Sequence, residues 1–183
     1  DPELVLNFYN GLRKQLKDVQ PNPAHLLLAE LEKDYNVIVI TQNVDDLHER
    51  AGSTNIIHLH GELLKMRGVD DPYTFYDCTE DIKVGDLSPN GAQLRPHIVW
   101  FGEDVPMIVK AAEEVETADI VLIVGTSLQV YPAAGLMNCA EEGTPIYYVD
   151  PRPSISSKNN ITVIKDVAST GVAKAFELIK ELK

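Results

Sequence analysis

Short runs of Val, Ile and Leu, each followed by a helical pattern, leave this chain few folds to choose from. Val37-Ile38-Val39-Ile40 and Ile120-Val121-Leu122-Ile123-Val124 are apolar without alternation. Strands of that kind are buried on both faces, as in parallel sheets covered by helices on either side. The pattern predicts strands at Val37–Ile40, Ile56–Leu59, Ile98–Phe101, Ile120–Val124, Ile146–Val149 and Ile161–Ile164. It predicts helices at Asp1–Asp18, Ala24–Lys33, Val105–Glu116, Ala133–Glu142 and Gly171–Leu182. The expected architecture is α/β, with a doubly wound and mostly parallel sheet.

The first helix carries its own start signal. Asp1 is placed to cap it, Pro2 suits its first position, and Leu4, Val5, Phe8 and Leu12 repeat at helical spacing. Pro21-Asn22-Pro23 ends it. One stretch breaks the rhythm of strands and helices. Residues 65–95 are acidic, with Asp70, Asp71, Asp77, Glu80, Asp81 and Asp86, and show no clear period. They read as an inserted loop or small lobe within a single domain spanning 1–183, a length that buries a real core.

With 16 Lys+Arg against 28 Asp+Glu, the formal charge is −12. Nucleic-acid binding rests on clustered positive charge, so no dominant nucleic-acid surface is expected. The apolar runs are strand-length, and no charged-then-apolar leader is present, so neither a membrane span nor a signal is expected. The two cysteines, Cys78 and Cys139, are far apart and form no Cys-x-x-Cys pair. They read as free thiols in a reducing compartment, which places the protein in the cytoplasm.

In an open α/β sheet, ligands bind beyond the carboxyl ends of the strands. Here polar clusters stand at those ends. Thr41-Gln42-Asn43-Val44-Asp45-Asp46-Leu47-His48 follows the first Val/Ile run, and His58-Leu59-His60-Gly61 follows Ile56-Ile57. An amide, a carboxylate and an imidazole in one crevice can bind a sugar, stabilise a developing cation and remove a proton. Alternatively, Asn43 and Asp45 form an Asx turn capping the next helix, with His60 a loop histidine. Each cluster alone favours that second reading; the pair does not. Gly125-Thr126-Ser127 follows Ile120–Val124 and suits ribose or phosphate oxygens, or else makes an ordinary strand-to-helix turn. Asp150 ends the Ile146–Val149 run, where such folds place an acid on a ribose hydroxyl pair; it could equally cap a turn before Pro151.

The glycines never fall as Gly-x-Gly, so neither a dinucleotide fingerprint nor a Walker loop is present. The chain also opens on a helix, where a doubly wound sheet usually opens on a strand. The expectation is that a first strand and its phosphate-binding loop precede Asp1.

Four segments together resemble the sirtuins, NAD-dependent protein lysine deacylases. They are Thr41 to His48, His60-Gly61-Glu62, Arg95-Pro96-His97-Ile98-Val99-Trp100-Phe101-Gly102-Glu103 and Gly125-Thr126-Ser127-Leu128-Gln129-Val130-Tyr131-Pro132-Ala133. The resemblance runs from Asp1 almost to the C-terminus. It implies a Rossmann-like sheet and NAD as cofactor. Gln42, Asn43, Val44 and Asp45 would line the nicotinamide-ribose pocket, with Asn43 and Asp45 catalytic beside His60, the general base. Gly125, Thr126 and Ser127 would contact the adenosine side. Asp150 would take a position where the family usually has asparagine, and Ala168 would lie near the adenine. The acyl-lysine protein or peptide would pair as a strand between Gly102-Glu103 and Val130-Tyr131, with Tyr9, Val99 and Phe101 also touching substrate. In the chemistry so implied, the acyl oxygen displaces nicotinamide from the ribose. His60 then accepts a proton from the ribose hydroxyls, and amine and O-acyl-ADP-ribose are released.

Two departures carry consequences. Most sirtuins hold zinc with two Cys-x-x-Cys pairs in the inserted lobe; only Cys78 lies there, so no zinc is expected and no metal ligands are assigned. The branch that prefers succinyl- or malonyl-lysine carries Tyr-x-x-Arg on the early helix; here the residues are Tyr9-Asn10-Gly11-Leu12. Acetyl or longer apolar acyl groups are therefore expected over succinyl, provided that Arg13 points away from the Tyr9 face. The competing reading is a non-catalytic NAD- or ADP-ribose-binding or interaction module of the same fold. The intact set of Asn43, Asp45 and His60 favours the enzyme.

Overall fold

The computed structural model describes residues 1–182. Helix α1 (Pro2–Leu16) begins where Asp1 accepts a hydrogen bond from the Leu4 amide at 3.1 Å. Helix α2 (Pro23–Leu31) begins with a capping box, in which the Asn22 side chain accepts from the Ala24 and His25 amides and His25 accepts from the Asn22 amide. Strands β1 (Val39–Thr41) and β2 (Ile56–His58) are parallel, with Val39 opposite Ile56 and Thr41 opposite His58. Between them lies a short helix, α3 (Leu47–Ala51), that the sequence pattern missed. It ends at Gly52 with φ of 104°, a conformation that only glycine adopts readily.

A second parallel sheet joins β6 (Val121–Val124), β7 (Ile146–Val149) and β8 (Ile161–Ile164) in that order. All four residues of β7 are buried, as its central place requires. Helix α5 (Ala168–Lys180) covers this sheet through Ala175 and Ile179, packed on Tyr147 and Val149. At Gly171 the approach leaves no room for a side chain, because a Cβ there would meet Val149 Cγ1 at 2.4 Å. On the other sheet, Ile57 and Leu59 pack against Ala111 of α4 (Ile108–Glu116) and Ala133. Each fully buried aliphatic side chain of this kind contributes about 1.5–3 kcal/mol.

The Rossmann-like α/β architecture is therefore present, with two corrections to the expected sheet. Among the described residues its parallel strands form two separate ladders, and β6 pairs with β7 alone. The predicted strand at Ile98–Phe101 is also not parallel. The strand is β5 (Leu94–Ile98), which runs antiparallel to β3 (Gly61–Gly68), with β4 (Phe75–Asp77) on the other side of β3. Pro96 has no amide hydrogen, and an outer strand tolerates that loss.

Residues 65–95, read from the sequence as an inserted loop or small lobe, contribute β4 and parts of β3 and β5 to a small antiparallel sheet. Their pattern is hard to read because β4 is three residues long and two of the three are exposed. The helix expected at Ala133–Glu142 is a 3₁₀ helix over Ala133–Cys139. Gly135 and Asn138 are weak helix formers, which shortens it. Helix α4 starts three residues later than expected, beyond Pro106.

No cysteine set holds the small sheet to the rest; a buried polar clamp does. Arg13, 2% exposed, donates from Nε to the Leu63 carbonyl at 3.1 Å. Its Nη1 donates to Asn10 Oδ1 at 2.9 Å and to the Glu80 carbonyl at 3.1 Å. Asn10 in turn donates to the Ile82 carbonyl and accepts from the Ile82 amide, at 2.9 and 3.0 Å. Leu6, Cys78 and Ile82 close over the clamp as a small core, and burial pushes the Cys78 thiol up.

Candidate functional site

His60 is fixed from three directions. The Leu59 amide donates to the Thr41 carbonyl, prolonging the β1–β2 ladder to the residue before it. The Val99 amide donates to the His60 carbonyl at 2.9 Å, tying it to the end of β5. This close approach depends on Gly61, whose φ is 81° and where a Cβ would lie 2.0 Å from the His97 carbonyl oxygen. Finally, His60 Nδ1 lies 3.1 Å from the Gln42 carbonyl oxygen. A carbonyl only accepts, so Nδ1 carries the proton. Nε2 makes no hydrogen bond to protein among the described residues.

A cavity of about 810 Å³ opens onto His60. Of the expected substrate residues, Tyr9, Val99, Phe101, Gly102, Glu103, Val130 and Tyr131 all line it. The sequence reading missed Leu4, Val5, Phe8, Trp100, Val105 and Pro132, which complete the wall. For α1 the signal was available: Leu4, Val5 and Phe8 share the face that carries Tyr9. Phe101 is 96% exposed and Tyr131 73%, so aromatic groups stand free on both sides of the mouth.

The loop after β5 is braced electrostatically. Buried Arg95 holds the Glu103 carboxylate with both Nη atoms, the second at 3.0 Å, and also donates to the Ile98 carbonyl. The Trp100 amide donates to Glu103 Oε2 at 2.8 Å. These hydrogen bonds, Arg95's foremost, hold the Glu103 carboxyl below the usual carboxylate range. The Arg95 guanidinium lies 3.4 Å from the Trp100 ring centroid. The Trp100 indole Nε1 donates to the Tyr9 hydroxyl at 2.9 Å, linking α1 to the loop.

The expected cofactor residues sit elsewhere and do not line this cavity. Gln42, Asn43, Val44 and Asp45 follow β1, with Asn43 exposed and Asp45 half-buried. Asp45 Oδ1 accepts from the Leu47 amide at 3.1 Å, so the Asx turn is formed and one carboxylate oxygen is left over. Behind it, His25 and His48 meet edge to face with centroids 4.6 Å apart, and burial lowers both pKa values.

Gly125, Thr126 and Ser127 follow β6. Gly125 has φ of 62° with open space where a Cβ would stand, and the Tyr148 hydroxyl donates to the Thr126 carbonyl. That open backbone fits a nucleotide's approach. Asp150 also makes the turn allowed for it, accepting from the Arg152 amide at 2.7 Å. Ala168 opens α5, half-buried.

One cluster unassigned from the sequence could hold a metal: Glu49, His58 and Glu62. Its groups are already paired, Glu49 with His58 Nε2 at 2.7 Å and Glu62 with Lys65 at 3.0 Å. Among the described residues no helix is long and apolar enough to cross a membrane.

A parallel α/β sheet with polar strand ends thus stands beside a cavity that opens onto His60. A profile of the Sir2 family matches residues 1–132, and the chain belongs to that family. An NAD-dependent protein deacylase of Bacteroides thetaiotaomicron is 53% identical over 98% of this chain and 80% of its own length. One from Helicobacter pylori is 56% identical over 83% of this chain, and the match spans 65% of that protein. Among solved structures, a Sir2 homolog–NAD complex superposes with a TM-score of 0.86 at 35% identity, over 100% of this chain and 73% of the other. A Sir2 complex with p53 peptide and NAD+ gives 0.75 at 29% identity, over 91% and 73%.

Proposed function

We propose that this chain carries the catalytic core of an NAD-dependent protein lysine deacylase. The observation that carries the reading is His60: its Nδ1 donates to the Gln42 carbonyl, and the residue lines the cavity of about 810 Å³. Relatives named NAD-dependent protein deacylase support it. Bound NAD supplies the ADP-ribosyl group to which the acyl group passes as nicotinamide leaves. Gln42, Asn43, Val44 and Asp45 would hold its nicotinamide ribose, and Gly125, Thr126, Ser127, Asp150 and Ala168 its adenosine side. His60 would hold and move the ribose hydroxyl proton. The acyl-lysine peptide would enter as a strand between Gly102-Glu103 and Val130-Tyr131, using backbone hydrogen bonds. A solved Sir2 complex with p53 peptide and NAD+ supports a peptide substrate. The proposed compartment is the cytoplasm, where Cys78 and Cys139 stay reduced.

The test is nicotinamide release by the full-length protein, which should require both NAD and acyl-lysine peptide. Release that ignores the peptide would point to a different NAD-consuming activity.

Within that activity we assign deacetylation over desuccinylation. No Lys or Arg lines the cavity among the described residues, and its one carboxylate is Glu103. Arg13 is committed to the clamp with Asn10, Leu63 and Glu80. A succinyl carboxylate would enter without a counter-charge, at a cost of several kcal/mol. In competition between acetylated and succinylated forms of one peptide, acetyl should be removed at least tenfold faster; faster succinyl removal would mean that a cation reaches the cavity.

A further inference from the structure

We propose that Arg67 anchors a binding site for a small oxyanion, a phosphate or carboxylate group held by paired N–H donors of its guanidinium. The site lies on the small antiparallel sheet, apart from the strand ends assigned above to the nucleotide. Three arginines are buried, Arg13, Arg67 and Arg95. Arg13 and Arg95 each donate three hydrogen bonds to protein. Arg67, only 8% exposed, donates none among the described residues. Of its three nitrogens, only Nε is shut off from solvent.

The one carboxylate in reach is already occupied. Arg67 Nη2 stands 3.7 Å from Glu103 Oε2. That oxygen accepts from Arg95 Nη2 at 3.0 Å and from the Trp100 amide at 2.8 Å, which fills its two lone pairs. Asp71 feels the charge of Arg67, but its Oδ1 accepts from the Tyr73 and Thr74 amides. It forms no ion pair with Arg67 among the described residues.

The strand register supplies the surroundings. Arg67 of β3 stands opposite Arg95 of β5 on one side and Phe75 of β4 on the other. Lys65 and His97, each two residues along its strand, share that face. Met66 and Leu94 turn the other way and pack on Leu6, Cys78 and Ile82. Arg95 Nε and His97 Nδ1 are also without partners. A buried guanidinium left without hydrogen bonds is unfavourable. Its planar fork matches the paired oxygens of a phosphate or carboxylate, which answer its charge as well as its donors; a water answers the donors alone.

Trp100 is the chain's single tryptophan, lies over Arg95 and donates to the oxygen nearest Arg67, so its fluorescence reports on the site. We would titrate the protein, without NAD or peptide, with inorganic phosphate at an ionic strength held constant by chloride. The response should saturate, with a midpoint of about 1 mM, within reach of two charge-assisted hydrogen bonds. Arg67→Met should weaken it at least about tenfold, while its urea midpoint in phosphate-free buffer stays the same or rises, because no hydrogen bond is lost. A second arm compares acyl-lysine peptides with phosphoserine or serine beside the modified lysine. An Arg67-dependent response to phosphate assigns the site to a free ion; one confined to the phosphoserine peptide assigns it to a group borne by the substrate. No response in either arm overturns the proposal, as does a response that survives Arg67→Met or a methionine variant that fails to fold. Only the peptide-borne form rests on the deacylase reading, and the phosphate arm uses neither NAD nor acyl-lysine, so its failure is distinct from a failure of nicotinamide release.

Discussion

Replacing His60 with alanine is expected to lower peptide-dependent nicotinamide turnover by about 10²–10⁴-fold, the range that general-base catalysis supplies. NAD binding should survive, because the nucleotide residues assigned above stand at the ends of other strands. The prediction rests on the place of His60 in the cavity wall and on the Gln42 carbonyl that holds its Nδ1. Chromatographic assay of nicotinamide, alongside calorimetric titration with NAD, separates the two effects. Turnover within about threefold of the unmodified protein would remove His60 from the role of base. Loss of NAD binding together with turnover would assign it to the nucleotide pocket instead.

Arg13→Ala is expected to be the most destabilising single change away from the cavity, by about 2–4 kcal/mol. Three hydrogen bonds from a buried cation end on Leu63, Asn10 and Glu80, and those to Leu63 and Asn10 are buried. The clamp joins α1 to the small antiparallel sheet, so the loss should free the sheet before the rest unfolds. Urea unfolding measures the first effect; amide exchange over residues 61–98 measures the second. A change below about 0.5 kcal/mol, with exchange unaltered there, would show that the Leu6–Cys78–Ile82 core holds the sheet without the clamp. Elemental analysis of the same unmodified protein should find no stoichiometric zinc, since Cys78 and Cys139 form no Cys-x-x-Cys pair.

Both predictions draw on contacts that only the folded chain displays. The strands at Ile146–Val149 and Ile161–Ile164 were legible to the residue, because parallel strands buried on both faces need continuous apolar runs. Helix α1 was legible through its Asp1 cap and Pro2. By contrast, β3 to β5 were not, since an antiparallel sheet with one wet face and a three-residue strand leaves too short a pattern to detect. Helix α3 is only five residues long and is held by Asp45's turn and Gly52, so no periodicity could announce it. At the site, the motif residues around His60 and Val130 were readable as a resemblance. Trp100 went unassigned because its role depends on Tyr9, 91 residues away, and nothing in either local pattern signals that meeting.

The sequence by itself determined the α/β class, the polar strand ends and the absence of paired cysteines, because each depends on residue type and short-range order. Only the tertiary structure decided which groups meet. It turned Arg13 from a possible anion ligand into a buried clamp, because helix geometry carries that residue round to face Leu63 while Tyr9 faces the cavity. It also set His60 Nδ1 against the Gln42 carbonyl and made the Tyr9 hydroxyl an acceptor for Trp100, because a hydrogen bond's direction is set by the partner that the fold brings within about 3 Å.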